Sequence, residues 1–319
     1  MNTTALTIPA LRTQAIRRTH PVLAVMGWEL RRFRASRFFW LQALGLFCFL
    51  VLLTWAQATR EQVSEGSPVG FIAGTSAWGL VHTLPTTLTL LVLFLPFITI
   101  DGVTRDFQRR THELLMTTAL PSWAYVWGRY LVGLLMSLGL ATLLLVAILG
   151  TGTVQHLTTT DYPAPVLGNV LILWVVTVVP VTVLVSSVGF AVVTLLPRLS
   201  TMAKILILLG WVIGAEVLPT LVYSPSGPDN LPPAWYSAWD PTSAPASVRM
   251  LQQYAPTFEQ QFPTATTPAQ VQHLINTVAN KAPDVSAWLA PHLIEALLSL
   301  VLVALAALAF RRFRNAFGA

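Results

Sequence analysis

"RYLVGLLMSLGLATLLLVAILG", residues 129–150, carries one charge in its whole length, at the first residue. At 1.5 Å of rise per residue it makes a helix of about 33 Å, close to the thickness of a bilayer's hydrocarbon core. A helix in lipid satisfies its own backbone polar groups, which an isolated strand cannot do. This stretch therefore predicts a membrane-spanning helix. Similar runs at 38–56, 80–100, 167–196, 205–223 and 288–310 bring the expected number to six. The fourth is longer than one crossing needs, which predicts tilt or a bend near Pro180. The whole chain is 54% apolar and 10% charged, with a mean hydropathy of +0.65. A soluble protein carries about 25% charged residues. The expected fold class is an all-α integral membrane protein.

Charge placement orients the spans. Of 19 basic residues, 16 fall before the first run, between the second and third, between the fourth and fifth, or after the sixth. The alternate loops hold only Arg60, Arg249 and Lys281. Lys and Arg accumulate on the cytoplasmic side, so both termini are expected inside a plasma (bacterial inner) membrane. The net charge of +6 is then a topology signal and not a nucleic-acid surface. Trp40, Trp55, Trp78, Trp127 and Trp288 fall near span ends as interfacial aromatics do, while Trp174 and Trp211 read as packing residues. Ala56-Gln57-Ala58 has the form of a signal cleavage site, but 37 residues precede the apolar run and the run is long, which predicts an uncleaved span. Cys48 has no disulfide partner, and the six histidines lack metal-ligand spacing, so no metal or other cofactor is expected.

Segments outside the spans are fewer. Residues 1–20 are polar and predicted disordered. Residues 21–37 open on a proline and end in four arginines, with Val22, Met26, Leu30 and Phe33 at helical spacing, which predicts an amphipathic interfacial helix. The segment 224–287 is the one large external piece. Its proline-rich start is followed by two expected helices, one near Ala246 and one opening at Thr267, where Pro268 and Gln270 suit a capping box. Residues 311–319 form a basic cytoplasmic tail.

The polar insert 101–128 sits between two of the most apolar runs. Asp101 and Arg105, Asp106 and Arg110, and Arg109 and Glu113 are each spaced i to i+4, so each pair supports a helix in water. Leu114, Leu115 and Met116 give that helix an apolar end, and Pro121 stops it. A charged amphipathic helix projecting from the cytoplasmic face is the expected result.

This insert resembles the first cytoplasmic loop of ABC-2 type transporter permeases. The family shows a charged stretch, a Gly-Thr-x-Glu-x-Leu-Leu-like core, a proline, and Gly-Lys opening the next span. Thr111, Glu113, Leu114, Leu115, Pro121 and Gly128 match, while Arg110 stands for the glycine and Arg129 for the lysine. "WELRRFRASRFFW" upstream is similar to the family's elbow helix, and Ser186, Ser187 and Gly189 late in the fourth span fit its pattern. The resemblance implies a permease subunit that pairs with a second copy or a homologous permease and with two ABC ATPase subunits. It also implies that the insert acts as a coupling helix. Arg105, Asp106, Arg109, Arg110, Thr111, Glu113, Leu114, Leu115 and Pro121 are the implied ATPase-coupling residues. The chain has no G-x-x-x-x-G-K-[ST] phosphate loop, so ATP and Mg are expected on the partner and no catalysis in this subunit.

Polar side chains inside the spans suggest a path. Glu216 and Glu295 lie in the outer parts of spans 5 and 6, and Thr83, Thr86 and Thr87 give span 2 a hydroxyl-rich outer face loosened by Pro85. Gly133 and Ser137 form a small-xxx-small pair suited to close helix contact. The leading expectation is the membrane subunit of an ATP-driven exporter. A gradient-driven carrier or a non-transporting scaffold are the alternatives. A carrier would show inverted repeats and interrupted helices, and no internal repeat is visible.

Overall fold

The computed structural model describes residues 20–56, 59–62, 69–108, 120–222, 231–261 and 267–317. Helix α1 (Pro21–Ala35) leads into α2 (Arg37–Ala56), followed by a short antiparallel hairpin of β1 (Thr59–Gln62) and β2 (Val69–Ile72). Helices α3 (Ala77–Gln108), α4 (Ser122–Thr158) and α5 follow, α5 covering Leu167–Leu195 with a π-helical turn at Trp174–Val178. Helix α6 (Ser200–Val212) runs into a second π turn at Ile213–Val217 and a last stretch, Leu218–Val222. Four short helices come next: α7 (Ala234–Trp239), α8 (Ala244–Gln252), α9 (Ala255–Gln261) and α10 (Pro268–Ala279). Helix α11 (Ser286–Phe317) closes the chain.

Among the described residues six helices are long and apolar enough to cross a membrane: Arg37–Ala56, Ala77–Ile100, Ser122–Thr158, Leu167–Leu195, Pro197–Val217 and Ser286–Phe310. They overlap the six expected runs and are numbered spans 1 to 6, the fifth starting earlier than expected, at Pro197 rather than residue 205. The third is the exception in length. It was expected to begin at Arg129, yet the helix begins at Ser122, directly after Pro121, and extends to Thr158. At 37 residues it is about 55 Å long by helical rise, so it projects beyond a 30 Å core. Its first two turns, Ser-Trp-Ala-Tyr-Val-Trp-Gly, are held against α1 rather than left in water.

Spans 2 and 4 form the centre, each with 61% of its apolar window buried, whereas span 5 has 17% and span 1 has 22%. Leu88, Leu91, Val92 and Leu95 of span 2 are fully buried, with Leu46 and Leu50 of span 1 packed against them. Gly189 lets Ile100 approach span 4, a Cβ there lying 3.4 Å from the Ile100 side chain. Gly133 faces Thr99 in the same way at 3.5 Å, so this glycine of span 3 packs on span 2, and Ser137 is buried. Ser187 donates to Val183 O and accepts from Tyr130 OH at 2.7 Å, tying span 4 to span 3. Trp174 donates to Ala141 O at 2.8 Å and Trp211 is buried, as packing residues. Trp288 departs from expectation. It is buried in the core, in one cluster with Ala246 and Met250 of the segment between spans 5 and 6.

A π turn, Trp174–Val178, lies just before Pro180, where a bend was expected. Proline cannot donate, so the helix must re-route its bonds there.

The three alternate loops meet on one face. Gln272 of α10 pairs with both the N–H and the carbonyl of Phe71 in the hairpin. Asn276 donates to Asp161 O at 3.0 Å, Asn169 to Asn280 O at 2.6 Å, and Thr75 bonds Tyr162 OH at 2.9 Å. The hairpin was not foreseen, and neither were α7 and α9. The capping box at Thr267 and Gln270 is present in full. At the opposite face Tyr125 of α4 stacks on Phe310 of α11, and His20 meets Trp123, so the two described ends of the chain lie together. That arrangement requires an even number of crossings.

The segment between spans 5 and 6 packs into the bundle. Ala246 and Met250 of α8 are fully buried in the same core as spans 1 to 4. Thr242, just before α8, packs on the π turn of span 5, where a Cβ on Gly214 would lie 2.9 Å from its methyl.

Candidate functional site

The coupling insert divides into a described part and an undescribed one. Residues 101–108, including Arg105 and Asp106, do not form a separate helix. They continue α3 without a break from Ala77 to Gln108. Arg109, Arg110, Thr111, Glu113, Leu114 and Leu115 lie outside the described residues. Pro121 is the residue before α4, extended at φ −68° and ψ 137°, and so it starts a helix as well as ending an insert.

Beside this insert lies a cluster that sequence reading missed. Helix α1 buries Val22, Val25 and Glu29, three residues on one stripe. Met26, Leu30 and Phe33, expected to lead the apolar face with Val22, are only half-buried. The face is rotated because Glu29, 2% exposed, has its partner in span 3. That partner is Arg129, 4% exposed. Arg129 Nε donates to Glu29 Oε1, and Nη1 donates to Tyr125 OH at 2.6 Å. The guanidinium lies over the Trp28 ring at 5.5 Å and the Tyr125 ring at 4.9 Å from the centroids. Arg32 adds a second cation, 3.0 Å from Glu29. Geometry of this kind suits a planar guanidinium, which can bond a carboxylate and stack on aromatic rings at once.

Gly128 makes that approach feasible. A Cβ there would stand 2.7 Å from Val25 Cβ and 3.1 Å from Val22 O. Gly128→Leu is therefore expected to push α1 off α4 and cost about 1–3 kcal/mol, the usual range for overpacking. The readout is a lower unfolding midpoint in detergent together with faster protease cleavage ahead of span 1. Of this cluster, the sequence signal was a lone acid among seven arginines before span 1, and a glycine and an arginine opening span 3.

The hydroxyl-rich face of span 2 splits. Thr83 and Thr87 line a cavity between spans 1, 2, 3 and 4, shared with Thr54, Leu84, Leu144 and Trp174. Thr86 is exposed and does not line it, lying about 100° around the helix from Thr87. Thr54 and Thr83 turn their hydroxyls back onto Leu50 O and Leu80 O, at 2.8 and 3.3 Å. They therefore give the cavity methyl groups more than polar ones. Its volume is about 40 Å³, room for about two or three waters and well under the roughly 300 Å³ of a small-molecule pocket.

The two glutamates also separate. Glu216 lies on the π turn of span 5 and accepts from Thr89 of span 2 at 3.4 Å. Glu295 is half-buried on span 6, and the segment between spans 5 and 6 brings a further carboxylate, Asp240. Asp240 was not foreseen. It is buried, accepting from Thr242 Oγ1 at 2.6 Å and from the Thr242 N–H at 3.2 Å. Burial pushes its carboxyl above the usual range, and the two Thr242 bonds oppose that. Ser243 follows in the left-handed region at φ 58°, which turns the chain into α8. Among the described residues no group of three His, Cys, Asp or Glu side chains is placed to hold a metal ion.

No protein-family model matches the sequence, and no curated protein matches it.

Proposed function

We propose that the chain is the membrane subunit of an ATP-driven transporter of the ABC-2 type, an exporter that works with separate ATPase subunits and a second permease. The observation that carries this reading is the joint between α1 and α4 beside the coupling insert. A device that receives force needs a stiff receiver. Helix α3 runs unbroken from the bundle centre to Gln108, so a push on the following residues travels along one helix. The buried Arg129–Glu29 pair makes α1 and the start of α4 move as one body. Spans 2, 3 and 4 are tied through Gly133, Gly189 and the Tyr130–Ser187 bond, which would pass the motion outward. The π turns of spans 4 and 5 sit in the outer part of the bundle and supply its compliant points.

In this reading the insert faces the cytoplasm, and ATP is bound and hydrolysed by the partner. Affinity purification of the full chain in mild detergent tests it. The expected companion is an ATPase carrying the phosphate-loop motif, in a near 1:1 ratio to the permease. The reading fails if the pure protein moves cargo in vesicles with no nucleotide-hydrolysing companion. One observation favours the second reading, a gradient-driven carrier: Glu216 lies on an interrupted helix. Proton-coupled uptake by the pure protein would decide for it.

A further inference from the structure

The outer face of α1, and the corner where α1 meets span 1, carry a charge that neither the buried joint nor the coupling insert uses. Val22, Val25 and Glu29 are buried toward α4. Successive residues of a helix lie about 100° apart, so Leu23, Gly27, Arg31 and Arg34 share the opposite face, and all four are exposed. Arg37, the first residue of span 1, is exposed as well.

No acid of the same segment balances these three arginines. Glu29 is the one acid among the first 60 residues, and it is taken by Arg129 and by Arg32. The ion pairs among the described residues include none from Arg31, Arg34 or Arg37.

The corner itself is fixed. The chain turns on Ser36, extended at φ −82° and ψ 106°. Its hydroxyl accepts from the Phe39 N–H at 3.3 Å, and Trp40 Nε1 donates to Arg34 O at 3.1 Å. Span 1 has 20 residues, about 30 Å by helical rise, so Arg37 stands at the edge of the hydrocarbon core. Arg34 is no more than about 11 Å from it along the chain. Arg31 is a neighbour of Arg34 on the surface of α1, three residues away. The cations are thus gathered where headgroups lie.

Apolar groups surround them. Leu23 and Trp28 precede the arginines and Phe38 and Trp40 follow, each at least half exposed. An acidic protein or a nucleic acid would match the charge and leave those side chains in water. A phospholipid matches both: its phosphate accepts paired N–H bonds from a guanidinium, and its acyl chains cover apolar surface. A zwitterionic lipid brings a cation back into the cluster, and an anionic one does not. We propose that Arg31, Arg34 and Arg37 form a binding site for the phosphate of an anionic phospholipid, whose acyl chains lie along Phe38 and Leu41 of span 1. This site depends on the chain lying in a membrane, and not on the ATPase partner or the energy source.

Native mass spectrometry of the full chain tests it, with equal amounts of phosphatidylglycerol and phosphatidylcholine added before release from detergent. The wild type should retain phosphatidylglycerol in preference. A basic side chain at an anionic surface contributes up to about fivefold. The triple variant Arg31→Gln/Arg34→Gln/Arg37→Gln should therefore lower the preference by more than about tenfold. Its unfolding midpoint in detergent should stay that of the wild type, since all three residues are exposed. The triple variant Arg311→Gln/Arg312→Gln/Arg314→Gln removes the same charge from the tail and should change the preference less than about twofold. Equal retention of both lipids by the wild type overturns the proposal. So does an unchanged preference in the corner variant, or an equal loss in the tail variant.

Discussion

Arg129→Ala should release α1 from the bundle and lower stability by about 3–5 kcal/mol, the range for breaking one side of a buried ion pair. The size follows from burial. Glu29 and Arg129 are both under 5% exposed, so the carboxylate left behind has little water to replace its partner. Arg32 stays 3.0 Å away but is partly exposed, and one cation at the rim cannot match a guanidinium in the cleft. Tyr125 OH loses its donor, and Trp28 loses the cation over its ring. Thermal unfolding in detergent reads the total, and limited proteolysis near residue 36 reads the detachment. Arg129→Lys should fall between wild type and alanine: it keeps the charge but not the fork or the stacked plane. A double-mutant cycle with Glu29→Gln should give a coupling well above the few tenths of a kcal/mol seen for independent sites. An alanine variant within about 0.5 kcal/mol of wild type would remove the pair from the account.

Replacing Glu113 and Leu114 together by alanine should abolish stimulated ATP turnover by the complex while leaving insertion and expression intact. The physical basis is a small contact with few anchors. A docking helix is held by a handful of residues, and losing an anchor of that kind costs about 2 kcal/mol or more, or about thirtyfold in affinity. Leu114 would fill an apolar groove and Glu113 would fix its register. The readout is ATPase activity with and without the permease variant. Normal stimulation by the double variant would count against docking at this insert.

The spans were legible because apolar length is a strong signal and polar backbone has no alternative in lipid. The same rule misjudged α4, since its first turns contain Trp123, Tyr125 and Trp127 and pass for an interfacial loop until α1 is seen against them. Glu29 was invisible for a related reason. It lies in an arginine-rich helix where any acid pairs locally on paper, and only the Gly128 approach brings Arg129 to it. The threonines of span 2 read as a polar lining until their hydroxyls are placed, because a threonine in a helix can bond its own backbone and present a methyl group.

Labelling of a single cysteine at position 109, in a Cys48→Ser background, tests the central claim most directly. With a membrane-impermeant thiol reagent, the residue should react only from the cytoplasmic side, and the reaction should slow at least tenfold when the ATPase partner is bound. Reaction from outside intact cells, or an unchanged rate in the complex, would contradict the claim that this face receives the force.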